Sequence, residues 1–181
     1  MKRKAAKINV RTMVKAGFLV AISIVMTRFA YVMVPLAGVA ALRISFGDLP
    51  LMLSGMMFGP LVGGLTGFSA DIIGFLINPQ GPYHPGFTLS SILWGVIPGL
   101  LFYRFKGERD LDKVYSYKNI LIAVLTVTAV VSLGLNTYWL STLYGRGFIV
   151  LLPTRVLAAL ISIPLHTVIL KYLMKYLRRF I

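Results

Sequence analysis

The chain has 181 residues, 57% of them hydrophobic and 13% charged, with a mean hydropathy of +0.82. Those values exclude an ordinary soluble domain and describe an integral membrane protein. The absence of cysteine excludes disulfides, thiolate chemistry and thiolate metal sites, and the net charge of +14, which would suggest nucleic acid in a soluble chain, is accounted for by topology.

The apolar runs are continuous, without the alternation of a membrane strand, so helices are the expected spanning elements. At roughly 20 residues per span, the length leaves room for five or six helices and hence one membrane domain over 1–181; the runs below are read as an all-α bundle of six transmembrane helices. A basic segment, 1–13, precedes span 1, predicted from Val14 to Pro35 with Arg28 near its far end. No cleavable leader is expected, because the run is longer than a typical signal core and lacks a small-x-small site. Leu36 to Gly47 reads as a connection containing Arg43, and Asp48-Leu49-Pro50 as a helix start, its acid at the positive end of the macrodipole.

Span 2 is short, Leu49 to Phe58, and stops at Gly59-Pro60. Span 3, Leu61 to Ile77, carries Asp71 and a stripe of Gly63, Gly67, Ala70 and Gly74, which suits close approach of a neighbouring backbone. The external loop 78–87 holds three Pro, two Gly, Tyr83 and His84 but no Lys or Arg, the composition of a shaped turn. Span 4, Thr88 to Phe105, bears Trp94 and Pro98. The loop 106–118, with Glu108, Asp110 and Asp112, is expected to be solvated and cytoplasmic. Span 5, Ile120 to Leu143, includes Ser132, Asn136 and Trp139; after a turn containing Arg146, span 6 runs from Phe148 to Leu173 with Arg155 and His166.

Fifteen cations fall into three clusters: Lys2, Arg3, Lys4, Lys7, Arg11 and Lys15; Arg104, Lys106, Arg109, Lys113 and Lys118; Lys171, Lys175, Arg178 and Arg179. Six spans put all three on one side, which the positive-inside rule makes cytoplasmic together with both termini. Attraction to anionic membrane lipid is a secondary consequence.

What remains ionisable is Arg28, Arg43, Arg146, Arg155, Asp48, Asp71 and two His. Every cation in that set is Arg, whose planar fork grips carboxylate or phosphate and stacks on aromatic rings. By helical rise, Arg28, Asp71, Trp94, Asn136 and Arg155 lie at a shared depth of roughly 10 to 13 Å below the external ends of five spans. A carboxylate at that depth is expensive unless paired, which makes Asp71 a functional-site candidate. The layer reads as a pocket open to the outside, with Tyr83, His84 and Arg146 contributed by loops. Each residue also has a plainer reading: Arg28 snorkelling outward, Asp71 in a purely structural ion pair, the aromatics as an interfacial belt. His166, deep in span 6, reads as a packing histidine. Arginines imply an anion, an isolated Asp implies adjacent N–H donors, and Trp and Tyr imply a flat ring. An aromatic heterocycle carrying carboxylates meets all three requirements.

The run Leu42-Arg43-Ile44-Ser45-Phe46-Gly47-Asp48-Leu49-Pro50, the segment from Phe58-Gly59-Pro60 through Asp71, the loop Asn78 to Phe87, and Leu135-Asn136-Thr137-Tyr138-Trp139-Leu140-Ser141 with Tyr144-Gly145-Arg146-Gly147 resemble the folate-specific S components of energy-coupling factor (ECF) transporters. The resemblance implies a non-catalytic folate receptor in the plasma membrane of a prokaryote, without cofactor or metal. It also implies partners, an energy-coupling transmembrane protein and two cytoplasmic ATPases; this chain has no phosphate-binding G-x-x-x-x-G-K-[ST] loop of its own. Members of that family carry Ala-x-x-x-Ala on span 1 for docking the coupling protein, and the matching positions here are Gly17 and Ala21, a generic small-x-x-x-small pair with which the span 3 stripe could compete. An intramembrane enzyme is disfavoured because no nucleophile-base pair, paired carboxylates or metal cluster is evident. A lone ion-coupled carrier is disfavoured because no inverted repeat or mid-membrane acidic site stands out.

Overall fold

The structure, a computed structural model, describes residues 9–36, 39–105, 110–145 and 147–177, and for 32–36, 39–44 and 111 the backbone alone. Lys2, Arg3, Lys4, Lys7, Lys106, Glu108, Arg109, Arg146, Arg178 and Arg179 therefore lie outside the described residues, as does the side chain of Arg43. The chain runs α1 (Val10–Arg28), β1 (Tyr31–Leu36), β2 (Val39–Ser45), α2 (Asp48–Phe58), α3 (Pro60–Ile77), α4 (Pro85–Arg104), α5 (Leu111–Val114), α6 (Tyr117–Val127), a π-helical stretch Thr128–Asn136, α7 (Thr137–Tyr144) and α8 (Phe148–Leu177). Among the described residues five helices are long and apolar enough to cross a membrane, α6 to α7 counting as one of 28 residues; α2 is a shorter apolar helix.

The all-α expectation needs correction after Arg28. Span 1 stops there and the chain turns into an antiparallel hairpin, pairing Tyr31 with Ser45 and Leu36 with Val39. Tyr31 to Val34 is rich in strand formers, but inside a continuous apolar run it cannot be told from helix by periodicity. Pro35 ends the helical option, and the register slips between Val34 and Leu36, where a residue without an N–H interrupts the ladder. The foot of the hairpin is seated on α1: the Ser23 hydroxyl donates to the Gly47 carbonyl at 2.7 Å, and Ser45 Oγ donates to the Met26 carbonyl at 3.3 Å.

This return explains the short second helix. Gly47 packs on Ser23 and Thr27, below the end of α1, and α2 starts from there at Asp48 and runs only eleven residues, about 16 Å. Nine of those residues are buried, as expected for a helix apolar on every side.

Smaller corrections have local causes. α4 begins at Pro85, whose fixed φ suits the first helical turn, so the loop 78–87 is shorter than predicted. The loop 106–118 contains α5 and a buried Tyr115, and α6 already starts at Tyr117, capped by the Ser116 hydroxyl. Helix α8 extends to Leu177.

Three helices pack through glycine. A Cβ on Gly63 of α3 would stand 2.6 Å from the Gly95 carbonyl oxygen of α4 and 2.7 Å from Gly55 Cα of α2. One on Gly67 would meet the Ser91 backbone, and one on Gly99 would stand 2.6 Å from Pro60 Cα. The stripe on α3 is thus used for internal packing. Gly59, at φ +95°, makes the joint that lets α2 and α3 fold back together. At their interface the Ser54 hydroxyl lies 2.7 Å from Thr66 Oγ1, whose proton goes to the Val62 carbonyl, so Ser54 is the donor.

Because Gly63 faces backbone that can yield only by separating helices, Gly63→Ala is expected to destabilise the folded protein by about 1–3 kcal/mol. Gly17→Ala, where a Cβ meets nothing within 4 Å, should leave stability unchanged or slightly raised. Thermal unfolding in one detergent compares the two; equal midpoints would contradict the packing account.

Candidate ligand-binding site

Arg28 and Asp71, drawn from α1 and α3, come together. Nη2 of Arg28 stands 3.6 Å from Asp71 Oδ1, and the two side chains are 11% and 15% exposed. Gly74, one turn beyond Asp71, leaves room for the guanidinium: a Cβ there would be 3.1 Å from Arg28 Nε. The helix ends are clasped as well, Arg28 Nη1 donating to the Asn78 carbonyl and Asn78 Nδ2 to the Arg28 carbonyl, both at 3.3 Å.

The second Asp71 oxygen accepts from the Thr88 hydroxyl at 2.7 Å. Since that spends Thr88's only proton, the Tyr83 hydroxyl, 3.0 Å away, is the donor in the next link. Tyr83 also packs on Phe75 at 5.2 Å. A relay of Tyr83, Thr88, Asp71 and Arg28 therefore joins loop, α4, α3 and α1.

His84 caps α4, its Nδ1 accepting from Gly86 N at 3.1 Å, which puts the proton of a neutral ring on Nε2. Its ring lies 5.8 Å from Phe87 and 5.3 Å from Trp139, and Trp139 meets Tyr138 at 5.0 Å. Trp139 packs directly on Gly86, where a Cβ would enter the indole. Three buried polar atoms around this group have no hydrogen-bond partner: Ser90 Oγ, Asn136 Oδ1 and Trp139 Nε1. Ser90 is one turn beyond Gly86 on α4, and Asn136 ends the π-helical stretch three residues before Trp139. A hydroxyl, an amide acceptor and an indole donor left unpaired cost about 1–3 kcal/mol each. A polar ligand that paired them would recover that cost.

The other predicted residues are placed differently. Trp94, 5% exposed, lies one turn beyond Ser90 within the apolar core. Arg155 is half-buried in the second turn of α8. His166 is buried against Phe46 at 6.2 Å. Gly17 and Ala21 are exposed on α1. Sequence reasoning missed Thr88 and Asn78 as polar contacts and Ser90 as a buried, unpaired hydroxyl. No local pattern marks a hydroxyl that meets its carboxylate only across two helices; the available signal was the position of Thr88 just inside a proline-led helix start.

Comparison with known proteins bears on the whole chain. The family model of the ECF-type riboflavin transporter S component matches residues 7–179. The folate transporter FolT of Clostridium novyi (strain NT) is 40% identical over 164 residues, covering 91% of this chain and 87% of the relative. FolT of Leuconostoc mesenteroides subsp. mesenteroides is 27% identical over 93% of this chain and 86% of its own. A crystal structure of FolT bound with folic acid superposes with TM-score 0.75 at 30% identity, over 93% of this chain and 95% of that one. The S component of a bacterial ECF transporter shares the fold, with TM-score 0.65 at 23% identity, over 94% of this chain and 96% of that one. A multi-pass membrane protein with this architecture and these relatives, the chain belongs to the family of S components, the non-catalytic substrate-binding subunits of energy-coupling factor transporters.

Proposed function

We infer that this chain is a high-affinity folate receptor for an ATP-driven ECF importer. On this reading it spans the plasma membrane of a prokaryote six times, α2 serving as the short second span, with both termini and the basic clusters in the cytoplasm. Arg28, Asp71 and the Trp139 group then face an outward-opening site. An energy-coupling membrane protein and two cytoplasmic ATPases supply the work. The FolT relatives support this assignment.

The observation that carries it is the environment of Asp71. The carboxylate offers about four lone-pair positions; Thr88 takes one at 2.7 Å, and Arg28 stands at a loose 3.6 Å from the other oxygen. Acceptors remain for a ring with adjacent donors. The pterin ring of folate presents a ring N–H beside an exocyclic amino group, two donors a carboxylate accepts together. A flavin ring presents one N–H between two carbonyl oxygens, which a carboxylate would repel. The chemistry of Asp71 thus favours folate over the riboflavin for which the matching family model is named. Trp139 and His84 suit the flat ring, while Arg28, Arg155 and Arg146 are the candidates for its carboxylates; Asn136 and Tyr83 complete the polar set, with Trp94 beneath.

The isolated chain is expected to bind folate with submicromolar affinity, roughly −8 kcal/mol or better, and riboflavin far more weakly. Calorimetry on detergent-purified protein measures both, and a need for ATP or the other subunits would count against a self-sufficient receptor.

Asp71→Asn sets a donor against the donors of the ring and is expected to lower folate affinity at least tenfold, with most of the loss retained when a pterin fragment replaces folate. If Asp71 only neutralises Arg28, the variant should instead lose thermal stability while binding the fragment as tightly as the parent does.

Docking is assigned to Gly17 and Ala21, because the α3 stripe is occupied internally while these two are exposed. Gly17→Leu or Ala21→Trp should abolish uptake in vesicles containing the full complex and leave folate binding intact. Normal uptake would move the docking face elsewhere.

A further inference from the structure

At the end of the bundle opposite Arg28 and Asp71 lies a cavity of about 210 Å³ walled by Asp112, Tyr115, Lys171, Met174 and Lys175. Its floor is rigid. The Tyr115 ring stacks on Phe102 at 5.3 Å and 14°, its hydroxyl donates to the Met56 carbonyl at 3.4 Å, and its own carbonyl accepts from Lys171 Nζ at 2.9 Å. Met174 is fully buried beside it.

The rim is cationic. Lys171 and Lys175 are four residues apart on α8 and so share a face. One N–H of the Lys171 ammonium is spent on Tyr115, leaving two for another acceptor. Towards the middle of the bundle, the same face continues through Val168, Leu165 and Ile161, exposed by 42%, 37% and 51%. A short cationic cleft thus opens onto an apolar track.

We propose that this cavity binds the head group of an anionic phospholipid, its phosphate held between Lys171 and Lys175 and an acyl chain laid along Val168, Leu165 and Ile161. The apolar track gives a lipid phosphodiester a hold that a free phosphate lacks. Basic pockets between helices at the cytoplasmic surface are suited to such head groups. The proposal rests on the membrane orientation inferred above, but its deciding readout, lipid retained from micelles, depends on neither orientation nor folate.

The full chain, purified in detergent, is titrated with mixed micelles containing phosphatidylglycerol or phosphatidylcholine, and bound lipid is counted by native mass spectrometry. Phosphatidylglycerol should be retained at least tenfold better than phosphatidylcholine, and inorganic phosphate in large excess should not displace it. The variant Lys171→Gln/Lys175→Gln should lose this preference while its folate titration stays normal. Lys175→Gln alone, which breaks none of the contacts holding Tyr115, should weaken retention at least threefold. Arg11→Gln/Lys118→Gln, which removes two charges at the same end but outside the cavity, should change nothing. Equal retention of the two lipids, displacement by phosphate, or equal loss in the control variant would overturn the proposal, the last by showing only diffuse attraction to a basic surface.

Discussion

Close backbone contact among α2, α3 and α4 is the constraint on which the rest of the molecule depends. Between apolar helices in lipid there is no hydrophobic drive to associate, so contact must come from packing and a few hydrogen bonds. Gly55, Gly63, Gly67, Gly95 and Gly99 supply the packing, and Ser54 with Thr66 supplies a polar pair inside it. The spacing between α3 and α4 set in this way also brings Thr88 within 2.7 Å of Asp71. A wider separation would leave the carboxylate without its hydroxyl and Tyr83 without its acceptor. The glycines and the candidate site are therefore consequences of one geometry.

The start of α4 divides the site into two halves. Thr88 turns towards α3 and the ion pair, while Gly86, two residues before it, packs against Trp139. One helix turn thereby positions a charged group on one flank and an aromatic group with unpaired polar atoms on the other. The π-helical stretch before α7 contributes to this arrangement, because its wider turn changes which side chains face α4; the Thr137 hydroxyl follows the same wide register, donating to the Ser132 carbonyl at 3.2 Å.

Much of this was legible in the sequence where the signal was local. Continuous apolar runs located the long helices, the Gly-x-x-x-Gly pattern located the α3 packing face, and the rarity of charge drew attention to Arg28 and Asp71, which the structure pairs. What was not legible depended on contacts between distant segments. Hydropathy reads Tyr31 to Val34 and a helix alike, so the hairpin was invisible in the sequence, and span 1 was carried through to Pro35. Counting depth from helix ends placed Trp94 in the same layer as Asp71, but the count could not tell which side of α4 the indole occupies, and it lies in the core. Trp139 looked like an interfacial aromatic because its contact with Gly86 joins residues 53 positions apart.

The hairpin also bears on the order in which the chain can assemble. Its strands place non-helical backbone next to α1, and wherever such backbone meets lipid it is tolerated only under cover of protein. Part of that cover is α8: β2 packs against it, and Phe46 just beyond the strand meets His166. Helix α8 begins only at Phe148, whereas the strand it shelters ends at Ser45, so the cover is synthesised well after what it covers. The first helix and its hairpin thus precede their cover in the chain, and the backbone beside Arg28 gains that shelter only once α8 has been made.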